Sequence, residues 1–450
     1  MYALYSVLLA AALLLIYIPA YFIRYRLLRG EKLYLRERLG RGLNQLPRPA
    51  PNRPSLWFHA VSVGELISLQ PLIEALKKKH PEWEISLSCL TLSGMKVAQD
   101  KFSHVERIFF IPFDFAFILK KYFTYLHPCL LVLVESEYWP NLLRTAKARN
   151  CPIMVINARM TPTAFRRYAR LKALTVRLFN LVDKFLVPTE EEGERLLRLG
   201  VSREKVIVSG NMKCDLELPR FSNEELKAMK KRFGLDRRLF DQPAKILVAG
   251  SLHPGEEIPL LQAFRQARRK QKPFFLILAP RHLEMVDELI HQCQELGFLC
   301  QRRTQLPSVT GLTQELSPET EAPLNWDVLI LDTIGELASL YALADVVFIG
   351  GSLVPRGGHN LLEPAFYGQP LFFGPHMDNF KYLAQQFIEA GAAKEIKNAA
   401  ELAAVLTELP EAELTLMGER ARQTLLTLQG ATNLILTEIE KLVIPNEEQG

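Results

Sequence analysis

Several chemistries are excluded by what the chain lacks. Its six cysteines (Cys89, Cys129, Cys151, Cys214, Cys293 and Cys300) form no C-x-x-C pair and fall mostly in apolar runs. That is the pattern of buried free thiols, not of a zinc ribbon or a disulfide framework. No G-x-x-x-x-G-K-[ST] and no G-x-G-x-x-G after a first strand occurs, which disfavours a P-loop ATPase or a standard NAD site. D-x-D, the usual metal clamp of single-lobe sugar transferases, is absent. His59, His253, His282 and His359 show no i, i+4 metal spacing and are read as hydrogen-bonding residues. No zinc-finger spacing, aromatic RNP pattern or homeodomain-like helix is present, so nucleic acid is not an expected partner. Glycine and proline stay near average usage, which excludes a low-complexity chain.

What is present is apolar mass and an uneven charge. With 450 residues, 48% hydrophobic and 23% charged, two or three domains with sizeable cores are expected. The net charge of +6 conceals a division: residues 1–210 carry 31 basic against 17 acidic side chains, and the remainder carry 24 against 32. The first half therefore expects an anionic partner. Ala3 to Ile23 is an uncharged run of 21 residues, about 31 Å as a helix and enough for a bilayer core. Arg24, Arg26, Arg29, Lys32, Arg36, Arg38 and Arg41 follow, offset only by Glu31 and Glu37. The positive-inside rule predicts a single-pass N-terminal anchor over 1–23 with the body on the cytoplasmic side. The basic stretch would rest on anionic inner-membrane lipids. Residues 24–54 are read as a juxtamembrane segment ending in the stiff Pro47–Pro54 linker.

Beyond it, short apolar runs alternate with amphipathic helical stretches. Leu56–His59, Ile85–Leu90, Arg107–Ile111, Leu130–Val134, Ile153–Asn157, Phe185–Val187 and Val206–Val208 read as strands. Continuously apolar strands spaced by helices imply a parallel sheet covered on both faces. A polar stretch from Asp215 breaks the rhythm, and alternation restarts at Ile246–Ala249, Phe274–Leu278, Val328–Leu331, Val346–Ile349 and Leu371–Phe373. The prediction is an α/β chain with two Rossmann-like lobes facing across a cleft: 55–214, a linker over 215–244, and 245–450, whose last helices pack back on the first lobe. Thr304–Asn325 reads as an exposed excursion.

Open α/β sheets bind ligands beyond the carboxyl ends of their strands, so those ends hold the candidate residues. Ser62-x-x-Glu65 after the first strand has capping-box spacing, and its carboxylate could equally serve chemistry. Glu135-Ser136-Glu137-Tyr138-Trp139-Pro140-Asn141 places two carboxylates at another strand end. Lys213 leaves the last strand of the first lobe, where it could reach an anion. In the second lobe Arg281 can meet phosphate or carboxylate bidentately. Asp332–Glu336 and the run Gly357-Gly358-His359-Asn360-Leu361-Leu362-Glu363-Pro364 suit phosphate and ribose. Three such ends in one lobe point to a nucleotide site.

Taken together, His59–Glu65, Ser136-Glu137-x-Trp139-Pro140-Asn141, Gly210-Asn211-x-Lys213-x-Asp215, Pro280-Arg281-His282 and Gly357-Gly358-His359-Asn360-x-x-Glu363-Pro364 resemble, in order, the 3-deoxy-D-manno-octulosonic acid (Kdo) transferases of lipid A assembly. The resemblance covers nearly the whole chain. It implies the two-lobed GT-B fold and transfer of Kdo from CMP-Kdo to a lipid A precursor at the inner membrane. The reaction it implies is inverting and needs no metal or other cofactor. By the same resemblance Glu65 is the general base, with Glu137 and Lys213 supporting the transition state. Pro280, Arg281, Ile334, Gly335, Glu336, Asn360, Leu361, Leu362 and Glu363 would hold CMP. Leu252, Leu361 and Met285 depart from residues common in the family. The competing readings are a transferase using a UDP- or ADP-sugar, a nucleotide-sugar epimerase of similar fold, and a non-enzymatic two-lobed binding protein.

Overall fold

A computed structural model describes residues 2–13, 15, 19, 34–306 and 326–444. The chain divides into two compact units, Met1–Asp215 with Gln429–Gly450, and Leu216–Leu428.

Unit 1 is built on seven strands: β1 (Ser55–Ala60), β2 (Glu84–Cys89), β3 (Arg107–Phe110), β4 (Leu130–Val134), β5 (Ile153–Ile156), β6 (Lys184–Val187) and β7 (Val206–Val208). They pair in parallel in the order β3-β2-β1-β4-β5-β6-β7. Successive side chains of a strand point to opposite faces, and here both faces are covered. Trp57, Leu131 and Leu133 enter one core while Leu56, Phe58 and Val132 enter the other. This is why the strands are apolar without alternation. The order reverses between β1 and β4, so a crevice is expected where their carboxyl ends diverge.

The final helix, Ala431–Val443, belongs to this unit. The Asp215 carboxylate accepts from the amides of Gly430 (2.7 Å) and Thr432 (2.5 Å) at its start. Near its end Glu440 accepts from His80 Nε2 at 2.6 Å and pairs with Lys79.

The described residues do not support the anchor expected over 1–23, and they place part of the basic flank against protein. Among the described residues no helix is long and apolar enough to cross a membrane. The described helix spans Tyr2–Ala12, and most of the remaining run, with residues 24–33 of its flank, lies outside the described residues. The first turns lie against unit 1: Asn141 Nδ2 donates to Ser6 Oγ at 3.0 Å, and the Arg144 guanidinium lies over the Tyr2 ring. Arg38, expected to face headgroups, is buried instead. It donates from Nε to the Ile111 carbonyl at 3.1 Å and sits 4.2 Å from the Phe113 ring centre. The proline-rich linker is also tied down. Arg107 donates to the Pro47 carbonyl and pairs with Glu84, which in turn accepts from the Ala50 amide. A buried guanidinium needs acceptors and a counter-charge of this kind.

Unit 2 opens with the helix Asn223–Phe233, which carries a Ser222/Glu225 capping box, so 215–244 is not merely a connecting stretch. A small hairpin, β8 (Arg238–Leu239) and β9 (Gln242–Pro243), follows. The main sheet comprises β10 (Lys245–Leu252), β11 (Phe274–Pro280), β12 (Cys300–Arg302), β13 (Val328–Ile330), β14 (Val346–Ile349), β15 (Leu371–Phe373) and β16 (Ala393–Glu395). Its parallel order is β12-β13-β11-β10-β14-β15-β16, which reverses between β10 and β14. Of the excursion expected at Thr304–Asn325, residues 307–325 lie outside the described residues.

Candidate functional site

Each unit gathers polar groups at its own switch point. In unit 1, β1 runs into the helix Val63–Lys79 through Val61-Ser62. Glu65 sits in the first turn, 7% exposed. Its Oε2 accepts from the Val61 amide at 2.7 Å and its Oε1 from Ser62 Oγ at 2.9 Å. Its own amide donates to Ser62 Oγ at 3.2 Å. The capping and chemical roles are therefore compatible: the cap holds the carboxylate still. Burial pushes its pKa up to about 7, with a further upward push from the Glu135 and Glu137 charges, against the Val61 and Ser62 hydrogen bonds. A carboxylate poised near neutrality suits proton abstraction. A Cβ on Gly64 would meet nothing closer than Ser62 Oγ at 4.0 Å, so packing does not require glycine there.

At the end of β4 the two carboxylates separate in role. Glu135 adopts a left-handed backbone (φ 62°), rare for a residue with a side chain. It pairs with Lys213 Nζ at 3.0 Å. Glu137 accepts from Trp139 Nε1 at 2.7 Å, and burial raises its pKa. Lys213 is thus held by Glu135, a residue that sequence reasoning noticed but left without a role. His59 is fully buried on β1. Its Nδ1 lies 3.0 Å from the Ser88 carbonyl and its ring is edge-on to Trp139, while burial lowers its pKa to about 4.

In unit 2 the organising residue is Glu256, to which no sequence signal pointed. Its fully buried carboxylate accepts four backbone amides: His253 (3.0 Å), Gly351 (2.6 Å), Ser352 (2.9 Å) and Leu353 (2.9 Å). One side chain after β10 thereby fixes the turn after β14. Gly351 is at φ 68°, and a Cβ there would come within 2.9 Å of the His359 ring. The turn needs glycine for both reasons.

The expected nucleotide residues lie around this turn. Pro280 ends β11 and Arg281 is exposed beyond it. Ile334 is 87% exposed, and neighbouring Gly335 has φ 95°. The Glu336 carboxylate is engaged by Arg303 Nη2 at 2.8 Å and by the Thr333 hydroxyl. Asn360 Nδ2 donates to Glu363 Oε1 at 3.0 Å, while Asn360 Oδ1 accepts from the Leu362 amide at 3.0 Å. Burial raises the Glu363 pKa. Leu361 and Leu362 are fully buried. No group of three or more His, Cys, Asp or Glu able to hold a metal ion occurs among the described residues.

Two parallel-sheet Rossmann-like domains in one chain are similar to the GT-B glycosyltransferases in fold. The UDP-GlcNAc 2-epimerase from Neisseria meningitidis shares this fold, with a TM-score of 0.57 at 14% identity over 86% of this chain and 100% of that one. A glycosyltransferase from Rickettsia africae does likewise, at 0.56 and 13% over 88% and 100%. Sequence comparison narrows the class. Residues 34–216 match the family model described as 3-deoxy-D-manno-octulosonic-acid transferase (kdotransferase). The 3-deoxy-D-manno-octulosonic acid transferase of Bordetella pertussis is 32% identical over 87% of this chain and 88% of its own length. That of Chlamydophila psittaci is 33% identical over 75% and 73%. The chain belongs to the 3-deoxy-D-manno-octulosonic acid transferase family and is a glycosyltransferase.

Proposed function

We propose that the protein transfers Kdo from CMP-Kdo to a lipid A precursor, with inversion and without a metal. Unit 2 would hold the donor and unit 1 would activate the acceptor. The observation that carries the reading is Glu65: a buried carboxylate fixed by the Val61 amide and the Ser62 hydroxyl, its pKa pushed up to about 7 by burial, at the switch point of a sheet whose sequence matches the family. Glu65 would take the proton of the acceptor hydroxyl as oxygen attacks the anomeric carbon opposite the departing CMP. Glu137 and Lys213 would support the charge of the oxocarbenium-like transition state. Pro280, Arg281, Ile334–Glu336 and Asn360–Glu363 would bind CMP, with Arg281 and backbone amides taking the charge that grows on the phosphate. The test is incubation of full-length protein with CMP-Kdo and a tetraacylated lipid A precursor in excess EDTA. A product heavier by one or more Kdo units is expected. No mass change, or turnover that ceases with EDTA, rejects the reading or its metal independence respectively.

The uncharged N-terminal run and the basic residues after it support attachment to the inner membrane with the catalytic units on the cytoplasmic side. On this reading, deleting residues 1–33 moves the protein from the membrane to the soluble fraction on cell fractionation. A truncated protein that still sediments with membranes would overturn it.

A further inference from the structure

Three imidazoles converge at the switch point of unit 2. His253 follows β10, His282 lies two residues beyond β11, and His359 comes from the turn after β14. His253 Nε2 and His359 Nε2 are 2.8 Å apart with nearly parallel rings, and the His282 ring is edge-on to His253 at 5.6 Å between centres. Gly351 leaves the space the pair occupies. The charged groups facing it are Arg281 and Arg356, both exposed, and Glu256. The Glu256 oxygens, however, are turned to backbone amides. The cluster therefore concentrates basic groups at a partly exposed surface, with its one carboxylate committed elsewhere.

We infer that this cluster is a proton-coupled anion site: it receives an anionic oxygen group of the donor and gains a proton on the His253–His359 pair as it does so. The inference rests on the reading that unit 2 binds the donor. An Nε2···Nε2 hydrogen bond requires one ring to donate and the other to accept. The neutral pair satisfies this, and so does the pair carrying one extra proton, since an imidazolium donates to a neutral neighbour. A second proton breaks it. The site can thus change by one charge without rearranging. In the free protein the added charge is disfavoured: burial, then Arg281 and the neighbouring imidazoles, lower His359 to about 4, and burial also lowers His253. Both are neutral at pH 7. A bound anion reverses that balance, so ligand binding and proton binding favour each other, as linkage requires. Two anionic groups of a nucleotide-activated sugar acid fit this chemistry, the phosphodiester and the sugar carboxylate.

The experiment is calorimetric titration of the full-length protein with cytidine 5′-(methyl phosphate), whose diester does not titrate between about pH 5 and 8, and with CMP-Kdo. Buffers of different ionisation enthalpy report proton exchange. Net proton uptake is expected, with affinity rising about three- to tenfold between about pH 7.5 and 5.5. His359→Gln and His253→Gln should each flatten that dependence. Uptake with both ligands assigns the phosphate, and uptake with CMP-Kdo alone assigns the carboxylate; either supports the site. Because a glutamine variant could disturb the turn, ¹³C-histidine NMR of the wild-type protein gives a second reading. Two imidazole pKa values should rise on binding. Ligand binding without proton exchange, and with histidine pKa values unmoved, overturns the inference while leaving the donor assignment intact. No binding of either ligand at any pH removes the donor assignment and this inference with it.

Discussion

Glu65→Gln is expected to lower turnover by about 10²–10⁴-fold, the range a positioned general base supplies, while CMP binding measured by calorimetry is unchanged. Glutamine keeps the shape and can still accept from the Val61 amide, but it cannot take a proton. The pH profile should carry the same signature. With the carboxylate at about 7, kcat/KM of the wild type rises through neutral pH and levels off above it. In the variant that limb disappears from the residual rate. Stability should move the other way. The folded-state pKa of Glu65 lies above its usual value, so between roughly pH 4.5 and 7 the native state binds more protons than the unfolded chain, and its stability falls as pH rises. Removing the charge relieves this, so Tm of the variant should exceed wild type at pH 8 and match it near pH 5. A variant that turns over within threefold of wild type removes Glu65 from the base role. One that loses both turnover and stability points to a structural role only.

The sheets were readable because strands buried on both faces are written as continuous apolar runs, and Leu130–Val134 and Val346–Ile349 match their predicted bounds residue for residue. The strands that escaped are instructive. Cys300–Arg302 and Ala393–Glu395 are the two edges of the unit 2 sheet, and edge strands are short and polar because one side has no partner. Their composition, Cys-Gln-Arg and Ala-Lys-Glu, carries no strand signal. The helix at Asn223 did carry one, since Ser222-x-x-Glu225 is a capping box, but the surrounding polarity read as linker. Arg38 was misplaced for the opposite reason. It stands in a basic series, and its burial depends on the Ile111 carbonyl and the Phe113 ring, more than seventy residues away.

The candidate site shows the same boundary between local and distant information. Ser62 and Glu65 were legible together because their hydrogen bonds close within one helical turn. Which of Glu135 and Glu137 would meet Lys213 was not, because it turns on a left-handed residue after β4 and a partner 78 positions on. The His253–His359 pair spans 106 positions. No spacing rule connects residues brought together only by the order of strands in a sheet.

Glu256 is the case with the largest structural consequence. Glu256→Ala should destabilise unit 2 by about 4–6 kcal/mol, since buried amides left without an acceptor cost about 1–3 kcal/mol each before relaxation and water entry reduce the sum. Four amides lose their partner at once, and three of them, from Gly351, Ser352 and Leu353, form the turn that presents His359. Glu256→Gln should not rescue the loss. Its single oxygen can serve two of the four donors, while its NH₂ group faces the other two as a fifth donor. Glu256→Asp, one methylene shorter, cannot reach across from β10 to the same set. Hydrogen exchange followed by mass spectrometry should find protection lost over β10, β14 and β15 and retained over β1, β2 and β4. CMP binding should weaken in step with the loss in unit 2. Full protection of β14 in Glu256→Ala would mean that water or another group replaces the carboxylate, and that the turn after β14 is held by its own glycines.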